Sequence, residues 1–265
     1  MRYQDKVTII TGGTKGIGAG CVRAFVAAGA QVVFCSQHPG EGDAMAAELS
    51  AEGPGAARFL ACDVSDVAQV RRLIDQTVHI YGRIDCLINN AGWHPPHKPI
   101  DDFSIDEFRS LLDLNLIGLF AACKFALPHL RQTHGNIINL GSLVGTMAQL
   151  HATTYVATKG AVIALTKALA IDEAVHGVRV NCVSPGNIFT PLWEEAIADA
   201  PDPAQAKADG EAAQLLGRMG TPEEAGRLCV FIAAEATFTT GVDHLLTGGA
   251  ELGYGRKARM LKAEG

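Results

Sequence analysis

Thr11-Gly12-Gly13-Thr14-Lys15-Gly16-Ile17-Gly18 separates a short apolar run, Val7–Ile10, from an amphipathic stretch that starts at Ile17. Glycines at a strand-to-helix turn have distinct physical uses. Gly12 suits a tight turn, Gly16 lets backbone N–H groups approach a pyrophosphate, and Gly18 lets the helix pack closely on the sheet. The N-terminus of the following helix, with Ile17 in its first turn, then presents its dipole and free N–H groups to an anion. A lone glycine motif carries little weight. One placed after the first strand of a repeating strand–helix pattern carries much more.

That pattern extends along the chain. Val7–Ile10, Gln31–Cys35, Ala57–Ala61, Cys86–Ile88, Ile137–Leu140, Arg179–Val183 and His244–Leu246 are short, apolar or β-branched, and read as buried parallel strands. Helical periodicity covers Ile17–Ala28, Glu41–Glu52, Val67–Tyr81, Ile105–Leu130, Thr154–Val175 and Glu223–Ala233. The alternation predicts an α/β fold: a Rossmann-type, doubly wound, seven-stranded parallel sheet of order 3-2-1-4-5-6-7 with helices on both faces. A single domain is expected over 1–265. Two excursions, 94–100 and 187–217, leave strand ends where such sheets bind ligands, and a tail follows at 250–265.

Composition narrows the function classes. The chain has 265 residues, 48% hydrophobic, with 29 glycines, which suits one close-packed α/β domain. A net charge of −6 without a basic block gives nucleic-acid binding no footing. The seven cysteines form no CxxC pair, so reduced buried thiols are expected and no metal site. The polar N-terminus is unlike a signal peptide, and no uninterrupted apolar stretch reaches membrane-spanning length. A cytosolic protein without membrane association is expected.

Several strand ends carry candidate cofactor contacts. Ser36 ends the second strand, where NAD binders usually place Asp or Glu on the ribose hydroxyls. Lys15, in the glycine turn, is able to meet a 2′-phosphate, so NAD and NADP both stay open. Asp63, followed by Val64, is placed either to bond an adenine edge or to cap a turn. Asn89, Ala91 and Gly92 end the fourth strand where backbone can lie against a cofactor, and Asn90 suits tying loops together. Pro185, Gly186, Ile188 and Thr190 follow the sixth strand, placed for a nicotinamide carboxamide or a phosphate.

Tyr155 and Lys159 are four apart and share one helix face. A free phenol has a pKa of about 10; a neighbouring ammonium and a cationic nicotinamide are expected to lower it and make Tyr155 an acid/base. Ser142, on the rim after the fifth strand, can hold a substrate oxygen beside the phenol. Asn115 is polar among apolar helical residues and must find partners. It either holds a water that links Lys159 to solvent, or marks a helix kink or an interhelical bond.

In this order and spacing, TGGTKGIG, NNAG, Asn115, Ser142, YVATK and the Pro185-Gly186 turn resemble the short-chain dehydrogenase/reductase superfamily over the whole chain. Longer stretches, among them NNAGWHPPHKP, YVATKGAVIALTKALAIDE and VRVNCVSPGNIFTPLWEE, are similar to the type 14 group of 17β-hydroxysteroid dehydrogenases. The resemblance implies Asn115, Ser142, Tyr155 and Lys159 as the catalytic set and a cytosolic homotetramer that oxidises secondary alcohols with NAD. The substrates it implies are a 17β-hydroxysteroid such as estradiol or a sugar such as L-fucose. It places His94, Gln149, Trp193 and Tyr254 around the substrate, together with Ser142 and Tyr155.

Two positions depart from the family. Ser36 replaces its ribose-binding Asp, and Gly141 stands where a second Ser is common, which is expected to loosen the pocket floor. An NADP-dependent carbonyl reductase and a catalytically silent nicotinamide-binding sensor or scaffold are the alternative functions. Helices Ile105–Leu130 and Thr154–Val175, with surplus apolar surface, are expected to form the main subunit interface.

Overall fold

The computed structural model describes residues 2–37 and 39–252. The first half of the chain forms β1 (Val7–Thr11), α1 (Gly16–Ala27), β2 (Gln31–Ser36), α2 (Pro39–Glu52), β3 (Ala56–Ala61), α3 (Val67–Tyr81), β4 (Cys86–Asn89), α4 (Ile105–Leu112) and α5 (Gly118–Thr133). The second half forms β5 (Asn136–Leu140), α6 (Val144–Met147), α7 (Thr153–Glu173), β6 (Arg179–Pro185), α8 (Pro191–Ala198), α9 (Pro203–Ala212), α10 (Pro222–Ala234) and β7 (Asp243–Leu246).

All seven strands are parallel and lie in the order β3-β2-β1-β4-β5-β6-β7, as the alternation predicts. Every residue of β1 and β5 is buried, which is why these strands read as continuous apolar runs. Successive residues still serve opposite faces. Ile9 joins a core with Leu73, Leu127 and Val162 of α3, α5 and α7. Ile10 joins the other, with Phe25, Met45 and Val230 of α1, α2 and α10. All seven cysteines are buried and free.

The helix expected over Ile105–Leu130 is interrupted. Asp113–Ile117 is a π-helical turn between α4 and α5. Gly118, just after it, presses on the loop behind β3; a Cβ there would stand 2.2 Å from the Val64 carbonyl oxygen. The excursion at 187–217 contains α8 and α9, each started by a proline. By length and mean hydropathy, the helical stretches Ile105–Thr133 (1.6) and Thr153–His176 (1.2) would each pass for a membrane span. The sequence reading of short apolar runs missed this, because charged and polar residues punctuate both. Their apolar windows are 50% and 39% buried inside the protein, against the sheet.

A buried polar chain docks α7 on the sheet. Asn89 Nδ2 donates to Asn139 Oδ1 at 2.9 Å, Asn139 Nδ2 donates to Thr166 Oγ1 at 2.9 Å, and Thr166 donates to the Val162 carbonyl at 2.9 Å. Truncating the middle member strands both partners away from water. Asn139→Ala is expected to lower the unfolding free energy by about 2–4 kcal/mol. Urea denaturation checks this; a midpoint equal to that of the unaltered protein would show that the chain of bonds does not hold the helix.

Candidate active site

The glycine turn is braced from β4. Gly12 and Gly16 have φ of +65° and +53°, the left-handed region that glycine enters freely. A Cβ on Gly18 would lie 2.0 Å from the Gly12 carbonyl oxygen, so the helix start can approach the turn only without one. Asn90 Nδ2 donates to the carbonyls of Thr11 (3.0 Å) and Gly12 (2.9 Å), the loop-tying part its position suggested. The N–H groups of Asn90 and Ala91 donate to Thr11 Oγ1 at 3.0 and 3.1 Å. No side chain caps α1 at Lys15, and its first turn holds no acid. Across from Gly16 stands Thr190, 3.2 Å from where a Cβ would be. A fixed glycine cradle at an uncapped helix N-terminus fits a dinucleotide pyrophosphate.

At the β2–β3 end, Ser36 closes β2 and its carbonyl accepts from Cys62 N. Asp63 accepts from the N–H and hydroxyl of Ser65 at 2.9 and 2.7 Å, the turn-capping geometry of the two considered. Those bonds, with one from Gln37, hold its carboxyl below the usual range against partial burial. Val64 and Asn89 commit their side chains to the core, Asn89 on Asn139 and Cys123. Any contact they make with a cofactor falls to their backbone. In the 185–190 segment, Gly186 N donates to the Leu246 carbonyl and Ile188 is buried, bridging Gly220.

The π turn aims Asn115 inward. Its Oδ1 accepts from Trp93 N at 2.9 Å, and its Nδ2 donates to the Trp93 carbonyl (3.0 Å) and to Thr158 Oγ1 (3.2 Å). Kink and interhelical bond therefore coexist in one residue. Sequence reasoning missed Thr158, which also donates to the Tyr155 carbonyl at 2.8 Å. Its only signal was its place between Tyr155 and Lys159. A Cβ on Gly92 would come within 3.2 Å of Asn115 Oδ1 and 3.6 Å of Lys159 Nζ, so its backbone lies between them.

Lys159 is buried, and its Nζ donates to the Leu140 carbonyl at 2.8 Å. Burial brings its pKa down to about 8, with Cys182 opposing. Its Nζ stands 5.8 Å from the centroid of the Tyr155 ring. The expected depression of Tyr155 is not found in the protein alone. Burial pushes its phenol up to about 12, and the hydrogen bond with Ser142 pulls the other way. Desolvation sets the direction, and the Lys159 ammonium is bonded to the Leu140 carbonyl.

His94 lies on the phenol, ring centroids 4.1 Å apart. Its Nδ1 donates to the Pro95 carbonyl at 2.6 Å, and its Nε2 meets Gln149 Oε1 at 3.1 Å. His97 sits 5.0 Å from the His94 ring, its pKa lowered by burial and by His94 and His151. Trp193 packs its indole on Gly210, where a Cβ would lie 3.1 Å away, and so joins α8 to α9. Tyr254, expected beside the substrate, lies outside the described residues. The pocket floor at Gly141 is not loosened: a Cβ there would meet Ser184 Oγ at 2.6 Å and Cys182 Sγ at 2.7 Å, which already fill the space.

Comparison with known proteins agrees with this geometry. A family model described as "Enoyl-(Acyl carrier protein) reductase" matches residues 12–251. L-fucose dehydrogenase of Bos taurus is 56% identical over 97% of this chain and 93% of its own length. The L-fucose dehydrogenase of Oryctolagus cuniculus is 54% identical over 96% of this chain and 88% of its own. The structure of L-sorbose reductase from Gluconobacter frateurii, complexed with NADPH and L-sorbose, superposes with a TM-score of 0.90 at 25% identity. That match covers 95% of this chain and 98% of the reductase.

The depressed Lys159 pKa has a consequence for stability. Between about 8 and the ordinary 10.5, the folded protein holds fewer protons than the unfolded chain, so stability rises with pH through that window. Below it the desolvation penalty is present in full. Lys159→Met is therefore expected to stabilise the cofactor-free protein at pH 7 by about 1–3 kcal/mol while removing catalysis. The advantage should shrink by pH 10. Urea titrations at both pH values check it, and an advantage unchanged at pH 10 would assign the effect to packing.

Proposed function

The chain belongs to the short-chain dehydrogenase/reductase family, and on that premise we propose that it is an NAD-dependent dehydrogenase of L-fucose. Its general class, an oxidoreductase acting on alcohols, follows from the family and relatives together. One observation carries the chemistry. Tyr155, Ser142 and Lys159 meet on the same rim of the sheet as the glycine cradle.

The glycine turn, Thr190 and Lys159 would hold the dinucleotide, which when bound supplies the hydride acceptor. Ser142 and Tyr155 hold the substrate hydroxyl, and Tyr155 accepts its proton. Lys159, with a pKa of about 8, keeps its charge at neutral pH and favours the phenolate. Asn115 clamps the Trp93 backbone on both sides and so sets His94, the next residue, on the phenol ring. In this reading the proton leaves past Lys159 to water beside Asn115. Gly92 supports the path by keeping a side chain out from between them.

The polar groups of His94, which lies on the phenol, and of His97 and Gln149 beside it suit a sugar, as does the likeness to L-fucose dehydrogenases. A second reading, a 17β-hydroxysteroid, draws on exposed Met147, Leu150, Phe189 and Leu192 in the flanking segments. The reading includes a cytosolic homotetramer. Exposed Ile117, Phe120, Ile171 and Val175 on the helices expected at the interface support the assembly.

Tyr155→Phe is expected to lower the rate of alcohol oxidation by about 100-fold or more while NADH binding persists. A rate within a few-fold of the original would remove Tyr155 from the chemistry. In a screen following NAD reduction, L-fucose is expected to be turned over well above estradiol. Turnover of estradiol alone would replace the sugar by the steroid.

A further inference from the structure

We propose that Glu41 sets the choice between NAD and NADP by holding Lys15 away from a 2′-phosphate. The inference rests on the dinucleotide reading of the glycine cradle and adds to it a residue that no motif contains.

Lys15 is the charged residue of the turn 11–18. Its ammonium stands 3.3 Å from Glu41 Oε2, with both side chains 59% exposed. The pair joins the glycine turn to the first turn of α2, beside the ends of β1 and β2. Ser36, which ends β2, and Gln37 after it are neutral and have no charge with which to reject a phosphate. Discrimination must come from groups around them. Asp63, linked to Gln37 and Ser65, contributes one negative charge there, and Glu41 a second.

Glu41 is also held in place. Gly42 is buried against β3, and a Cβ there would fall 2.1 Å from Phe59 Cδ2. Met45 and Leu49 bury the same face of α2. The helix start is thus pressed on the sheet, and Glu41 stays beside Lys15 through backbone packing. A 2′-phosphate arriving here would have to draw Lys15 from its partner and would leave the Glu41 carboxylate unpaired next to it. The ribose hydroxyl of NAD carries no charge and meets no such penalty. Because the pair is exposed, its influence is moderate and fades with salt.

Fluorescence titration of NADH and NADPH against the unaltered protein, Glu41→Gln and Glu41→Gln with Lys15→Gln tests this, at low and high salt. Glu41→Gln is expected to tighten NADPH binding by about fivefold and NADH by less than about twofold. The added Lys15→Gln, or high salt, should remove that gain. Equal changes for both cofactors, or an unchanged NADPH affinity in Glu41→Gln, would overturn the proposal. If the unaltered protein already prefers NADPH, the NAD assignment fails; the response of Glu41→Gln then still decides the role of Glu41.

Discussion

An ammonium group buried beside a main-chain carbonyl is the constraint around which this site is built. Lys159 comes off α7 into the space above β5 and meets the last carbonyl of that strand, Leu140. Desolvating a cation opposes folding by several kcal/mol, and one hydrogen bond offsets only part of it. The rest comes from the packing that drives α7 onto the sheet, with Val162 and Ile163 in the core and Thr166 bonded to Asn139. The penalty is useful chemically. A cation out of water is screened less and acts at longer range on its surroundings.

The same constraint explains why the long helix before β5 is not regular. A continuous α-helix over 105–133 would rotate Asn115 relative to Trp93 and Thr158. The π turn adds the extra residue that lets one amide bond both. Three separate segments are joined by that amide: the loop after β4, the π turn and α7. Since His94 follows Trp93, the clamp extends to the ring lying on Tyr155. Asn115 therefore positions the loop that carries His94 and the helix that carries Tyr155 together.

Much of this was legible in the residues. Strand order, both helical layers and the glycine turn follow from periodicity and from residue types with narrow conformational uses. The strand ends matched to within a residue or two because β-branched runs stop where loops must expose backbone. Tyr155, Ser142 and Lys159 were visible because spacing and strand position converge. Electrostatics were less legible. The upward shift of Tyr155 comes from its burial, and neither that burial nor the Leu140 carbonyl that takes Nζ leaves a mark in a side-chain pattern. The π turn was hidden as well, since Leu112–Leu116 keeps an apolar rhythm through it.

Gly141 shows why single departures from a motif need their neighbours before they carry meaning. Read alone, a missing side chain before Ser142 suggests slack beneath its hydroxyl. The space is in fact taken by Ser184 and Cys182 of β6, so a serine at 141 would collide with groups already present. Ser184 and Cys182 occupy the space that a side chain at 141 would need, as close packing demands. A neutral residue at the end of β2 does not by itself decide the cofactor, because charge acts through space and Lys15, Glu41 and Asp63 all stand near that end. The sum of those charges is the quantity a cofactor meets, and no one residue of the motif expresses it.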